Sequence, residues 1–205
     1  MGAYYRRNIM LKKNDIIIFQ GDSITDANKR IGGDWFGYAG MVPKILNAFY
    51  PDYNLTFYNM GIGGNSVLDI RDRWQKDCLD LKPNIVTLLA GINGVNCDAN
   101  VFRETYKYLI TSVKKTGAKF IAMEPFFTKG EMSDDSWFLP LSEKLFIIRD
   151  LAEKHADALI PLNGLFAKMC AKYGAEYCTQ DGVHPTIEGQ RLIAKEVIKC
   201  LTKEI

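Results

Sequence analysis

The chain has 205 residues, with 47% apolar and 24% charged side chains and a net charge of +2. That size suits one domain with a substantial core, spanning residues 1–205, and the near-neutral charge gives no electrostatic basis for binding nucleic acid or an anionic membrane. The apolar runs are strand-sized, too short to cross a bilayer. The five cysteines lack CxxC spacing and neither of the two histidines neighbours a cysteine pair, which argues against a disulfide framework or a structural zinc site.

Residues 1–14 carry Arg6 and Arg7 but no apolar signal core or small-residue cleavage site. With reduced thiols, this predicts a cytoplasmic protein; an exported protein whose signal has been removed is the alternative. The β-branched run 15–20 (DIIIFQ) then predicts a buried first strand, followed by a glycine-containing loop through Gly32 and Gly33. A helix is expected over 43–50, with Pro43 acceptable in its first turn and its start obscured by Gly37 and Gly40. Residues 55–61 predict the second strand. A turn at Gly63-Gly64-Asn65 leads to a helix over 66–78 with Ser66 as N-cap.

Residues 85–90 (IVTLLA) predict the third strand, 100–115 a helix ending at Gly117, and 119–123 the fourth strand. Residues 124–137 form the longest irregular stretch. After it come a helix over 140–155, a short strand over 158–161, a helix over 164–173 and a closing helix over 186–201. Strands alternating with helices imply parallel strands joined by right-handed crossovers. The expected fold is an α/β class, three-layer α/β/α sandwich with a five-stranded parallel sheet in the flavodoxin-like order 2-1-3-4-5.

Chemistry-bearing residues fall at the carboxyl ends of these strands, where open α/β sheets build their sites. Ser23, in Gly21-Asp22-Ser23-Ile24-Thr25, sits where the first strand gives way to a loop. A serine hydroxyl needs a base, an orienter for that base and oxyanion donors. His184 in Asp181-Gly182-Val183-His184-Pro185 is the candidate base. The i, i+3 spacing lets the Asp181 carboxylate hold one imidazole nitrogen while the other faces outward, and an unperturbed imidazole titrates near pH ~6.5. In isolation the same motif describes a capping aspartate beside an exposed histidine. The other histidine, His155, falls near a predicted helix C-terminus, where it complements the dipole without any catalytic role.

Gly64 precedes a helix N-terminus and can present its N–H to a developing oxyanion. Asn93, directly after the third strand, can donate from a neutral amide. Each alone also reads as an ordinary turn residue. Together with Ser23 and the Asp181/His184 pair they emerge on one edge of the sheet in complementary roles.

With these blocks in order, the sequence resembles the SGNH/GDSL hydrolase superfamily over nearly its whole length. The matching segments are Gly21 to Thr25, Gly61 to Ser66, the loop holding Asn93, and Asp181 to Pro185. The resemblance implies an oxyanion hole built from the Ser23 N–H, the Gly64 N–H and Asn93 Nδ2. It also implies a serine esterase acting through an acyl-enzyme without metal or organic cofactor. The family block after the third strand usually reads Gly-x-Asn-Asp. Here Gly94 replaces the aspartate, which removes hydrogen bonding that steadies the loop and predicts weaker preorganisation.

Other sandwiches fit less well. The Gly-x-Ser-x-Gly elbow of α/β-hydrolases is absent. Asp22 and Asp26 would repel a flavin phosphate, and a receiver domain needs an aspartate where this chain has Ala90-Gly91. The expected substrate is a small-molecule ester, mainly an acetyl ester of a carbohydrate or small alcohol. Alternatives are a lysophospholipase or thioesterase, and a degenerate protein that binds a glycan or ester without turnover. Candidate substrate contacts are Asp22, Phe126, Phe127 and Trp137, with Met132, Phe138, Trp35, Phe36 and Tyr38 as further aromatic or apolar neighbours. Residues 124–137 read either as a lid or acceptor wall, or as a surface loop with buried anchors.

Overall fold

The computed structural model describes residues 9–27, 37–131 and 135–202. Five parallel strands, β1 (Ile16–Gly21), β2 (Thr56–Gly61), β3 (Ile85–Leu89), β4 (Lys119–Met123) and β5 (Ala158–Ile160), form one sheet in the order β2-β1-β3-β4-β5. The register pairs Gly21 with both Gly61 and Leu89, so the carboxyl ends of β1, β2 and β3 finish level. The loops that follow therefore share one edge.

Nine helices connect and cover the strands among the described residues: α1 (Ser23–Asp26), α2 (Tyr38–Phe49), α3 (Val67–Asp72), α4 (Trp74–Asp77), α5 (Ala99–Lys115), α6 (Phe138–His155), α7 (Leu162–Tyr173), α8 (Ala175–Cys178) and α9 (Ile187–Leu201). The period-two geometry of the strands sends alternate side chains to opposite faces. Ile17, Phe19, Leu89, Ile121 and Met123 pack with Leu46, Phe166, Ile193 and Val197 on the face covered by α2, α7 and α9. Ile18, Val86, Leu88, Phe120 and Ala122 pack with Trp74, Phe102, Tyr106 and Ile148 on the face covered by α4, α5 and α6. The expected three-layer sandwich and strand order hold.

Besides the unexpected one-turn α8 and the earlier start of α7, three features nearer the site differ from the sequence reading. The nucleophile segment winds into a one-turn helix, α1. Helix α2 starts at Tyr38 rather than near Pro43, because Gly40 lies inside it and Gly37 caps it. The helix expected over 66–78 breaks at Arg73, whose backbone (φ −104°, ψ 3°) separates α3 from α4.

Candidate active site

Strand β1 ends at Gly21, and Asp22 caps α1, its Oδ1 accepting from the Ile24 N–H at 3.0 Å. Ser23 is thus the first helical residue, where backbone N–H groups have no partner within the helix, and its side chain is part-exposed. The turn is held from several sides. Asn59 Nδ2 donates to the Thr25 carbonyl at 2.9 Å, Gln190 Nε2 donates to the Ile24 carbonyl at 3.4 Å, and the Tyr38 hydroxyl lies 2.8 Å from Thr25 Oγ1.

The loop between α8 and α9 folds back on itself. Gln180 N–H donates to the His184 carbonyl at 2.8 Å and Thr186 N–H to the Cys178 carbonyl at 3.0 Å. Inside this loop, Asp181 Oδ1 accepts from the N–H groups of Val183 (2.9 Å) and His184 (2.7 Å). Its Oδ2 lies 2.6 Å from His184 Nδ1, and His184 Nε2 lies 2.9 Å from Ser23 Oγ. Burial pushes the Asp181 carboxyl up, but the backbone and ring hydrogen bonds from His184 and the Val183 N–H outweigh it and hold it below the usual range. An ionised Asp181 fixes the proton on Nδ1 and leaves Nε2 as an acceptor for the serine hydroxyl.

The glycine loop after β2 lies beside Ser23. Gly63 N–H donates to Asp26 Oδ2 at 3.0 Å, and a methyl group at Gly63 would sit 3.9 Å from Ser23 Cβ. Gly64 is exposed at φ +80°, with open space around it. Asn93 joins the same loop, Nδ2 donating to the Asn65 carbonyl at 3.2 Å, which leaves its second amide hydrogen free of that bond. Hydrogen bonds thus join Ser23, His184 and Asp181, while Asn93 is tied through the Asn65 carbonyl to the glycine loop that carries Gly64, and that loop reaches α1 through Gly63 and Asp26. The arrangement can move a proton from a serine hydroxyl to an imidazole and offer N–H donors to a negative oxygen.

Two of the expected substrate contacts are placed elsewhere. Asp22 is 1% exposed and serves as a cap. Phe126 is fully buried, stacked on Phe166 with ring centroids 3.6 Å apart. Neither offers surface to a bound ester. Tyr38 is likewise buried in the core. Phe127 and Trp137 are partly exposed and pack on a small cluster containing Ile92, Val95 and Val183, neighbours of Asn93 and His184. Phe138 is 62% exposed, edge-on to Phe127, and His155 lies in the last turn of α6. Trp35, Phe36 and Met132 lie outside the described residues.

Of the two readings of residues 124–137, the described part up to 128 is anchored. Glu124 is buried against Arg149, and Thr128 N–H donates to the Gly182 carbonyl at 2.7 Å. Sequence reasoning did not single out Arg73, Asp26, Asn59 or Gly130 as site-supporting residues. Arg73 reads in the sequence only as one polar residue of a continuous helix, so nothing in the pattern marks it.

Residues 19–192 match the GDSL-like lipase/acylhydrolase family. The chain belongs to that family. As a GDSL-like acylhydrolase it is a serine hydrolase acting on ester bonds. It is 26% identical over 202 residues to an acetylxylan esterase of Geobacillus stearothermophilus, covering 89% of this chain and 92% of that one. Among solved structures, a GDSL-like lipase from Parabacteroides merdae superposes with a TM-score of 0.87 at 28% identity, covering 95% of this chain and 98% of that one. LAE5, an alpha/beta hydrolase enzyme from the metagenome of Lake Arreo, superposes with a TM-score of 0.82 at 27% identity, covering 92% and 95%. Among the described residues, no helix of this GDSL-like hydrolase is long and apolar enough to cross a membrane.

Proposed function

We propose that the chain is a serine esterase that removes short acyl groups, chiefly acetyl, from a carbohydrate or similar small alcohol. The observation that carries this reading is the continuous relay from Ser23 Oγ to His184 Nε2 (2.9 Å) and from His184 Nδ1 to Asp181 Oδ2 (2.6 Å). Ser23 Oγ attacks the ester carbonyl while His184 takes its proton, and Asp181 stabilises the resulting imidazolium. The oxyanion forms among the Ser23 N–H, the Gly64 N–H and Asn93 Nδ2, each donor contributing about 3 kcal/mol of barrier lowering. His184 returns the proton to the departing alcohol. Water then attacks the acyl-enzyme with His184 again as base.

The acetyl and carbohydrate preference is supported by the similarity to an acetylxylan esterase. It is also supported by the part-exposed setting of Ser23, His184 and Asn93 and the exposed Gly64, which leaves room for a bulky alcohol. Phe127 and Trp137 are assigned to the acceptor wall, because their cluster abuts the neighbours of Asn93 and His184. The five free cysteines support a reducing, cytoplasmic setting.

The test is hydrolysis of p-nitrophenyl esters of increasing chain length and of acetylated xylo-oligosaccharides by the parent and by Ser23→Ala. Turnover should be greatest on acetate and fall by about 10⁴-fold or more in Ser23→Ala. Activity peaking on long chains would instead identify a lysophospholipase-type or thioesterase-type enzyme. Failure of Ser23 to label with an organophosphonate would mark a binding protein.

A further inference from the structure

We propose that Arg73 is the positioning residue of the oxyanion site, holding the Gly64–Asn65 loop and the Asn93 amide in register with the strand end that carries Ser23. This rests on the esterase reading above. The guanidinium lies beneath the site rather than in it, with the side chain 15% exposed. Its Nε donates to Asn65 Oδ1 at 2.7 Å. Nη1 donates to the Met60 carbonyl at 2.8 Å, to Gln20 Oε1 at 3.1 Å and to Asp77 Oδ2 at 3.2 Å. Nη2 donates to the Gly21 carbonyl at 3.3 Å. One planar group thus ties together the ends of β1 and β2, the buried side chain of Gln20 in β1 and the side chain of the residue after Gly64.

Asn65 is what makes this arrangement relevant to catalysis. Its side chain accepts from Arg73, while its backbone carbonyl accepts from Asn93 Nδ2 at 3.2 Å. Two of the three proposed oxyanion donors, the Gly64 N–H and the Asn93 amide, are therefore fixed through a single residue that Arg73 holds. With glycine at position 94, no side chain from that residue helps to steady Asn93. The break between α3 and α4 fits the same role, because it occurs at Arg73 itself. A lysine could not substitute, since an ammonium offers three donors at one point and not a fork that spans several oxygens. Arg71, two residues earlier, supplies the contrast: it is 45% exposed and bonds to Asp72.

The experiment compares Arg73→Lys, Asn65→Ala, the double variant and Arg71→Ala with the parent. It measures kcat and KM on p-nitrophenyl acetate and the Ki of a small alkyl boronic acid, all well below each variant's Tm. The boronate adds reversibly to a serine oxygen and presents a tetrahedral oxygen to the oxyanion donors. Arg73→Lys should lower kcat by about 10- to 100-fold with KM nearly unchanged, because misplacement of supporting groups acts on the transition state. The boronate Ki should rise by the same factor. Asn65→Ala should do likewise, and the double variant should lose little more than either single one, since both cut one link. Arg71→Ala should match the parent.

Parental kcat and boronate affinity in folded Arg73→Lys or in Asn65→Ala, with only Tm lowered, would overturn the proposal and leave Arg73 a structural staple. Losses that multiply in the double variant would also overturn it. Retained turnover in Ser23→Ala would instead overturn the esterase reading on which it rests.

Discussion

Asp22 lies next to Ser23 in sequence, yet its carboxyl is buried, with Oδ1 capping α1 and Oδ2 unpartnered among the described residues. Burial pushes this group up to about 7, against the pull of the Ile24 N–H and of His184. A carboxyl whose folded-state pKa is raised stabilises the fold below its ordinary pKa of 3.8 and loses that contribution as pH rises towards about 7. Asn keeps the cap and cannot ionise. Asp22→Asn should therefore be more stable than the parent above pH 7, with the gap closing on acidification at up to about 1.4 kcal/mol per pH unit. Denaturation at pH 5, 6, 7 and 8 checks this, and a gap independent of pH would refute it. Gly94 presents a second residue-scale case. Its φ is +67°, and a Cβ there would stand 3.2 Å from Ser66 Cβ. Gly94→Asp, which restores the family pattern, should lose about 0.5–1 kcal/mol on chemical denaturation, because aspartate tolerates the left-handed backbone less well than glycine and its Cβ crowds Ser66. Equal or greater stability would show that the loop can relax to accept it.

At the scale of elements, the loop bearing Asp181 is braced by the segment after β4. Thr128 N–H holds the Gly182 carbonyl, and Gly130 packs so closely that a Cβ would stand 2.3 Å from the Asp181 carbonyl carbon and the Gly182 nitrogen. Those neighbours are backbone and cannot swing aside. Gly130→Ala must shift one chain against the other and so disturb the Asp181–His184 geometry. The expected result is a kcat reduced by about 10-fold or more with KM little changed, read on p-nitrophenyl acetate; parental kcat would show that the segment merely rests on the loop. The strands were legible because β-branched runs such as Ile16 to Ile18 mark them without tertiary information. The oxyanion and relay candidates were legible because each directly follows a strand or precedes a helix. The supporting contacts were not. Gly40 reads as a helix breaker although it sits buried within α2, and Gly37 is required by close approach, since a Cβ there would meet Ala27 and Gln190. Continuous helical propensity over 66–78 conceals the break at Arg73, which coincides with part-buried hydrogen bonds to β1 and β2. Phe126 was legible as aromatic, but only packing on Phe166 reveals it as core.

Across the whole molecule, the two edges of the sheet carry different burdens. The carboxyl edge carries the proposed chemistry. The amino edge bounds a cleft of about 420 Å³ whose lining includes Lys12, Asp15, Asn84, Lys119 and Asp157. Asp157, just ahead of β5, accepts from Lys114 Nζ, from Lys119 Nζ and from the N–H of Phe120, the second residue of β4. Burial raises its carboxyl, but the hydrogen bonds from Lys114, Phe120 and Lys119 outweigh that and hold it below the usual range. A carboxylate depressed in this way stabilises the fold above its ordinary pKa and loses that contribution as pH falls through the folded-state value. Asp157→Ala should therefore cost about 1–3 kcal/mol near neutrality, since it also strands the Phe120 N–H, and the difference from the parent should shrink on acidification. Because Asp157 lies at the edge opposite Ser23 and His184, kcat/KM per folded molecule should stay at the parental value. Urea denaturation at pH 7 and pH 3, with kcat/KM on p-nitrophenyl acetate at pH 7, measures both quantities. A loss of kcat/KM without a loss of stability would show that the two edges are coupled through the sheet, contrary to the separation argued from their residues.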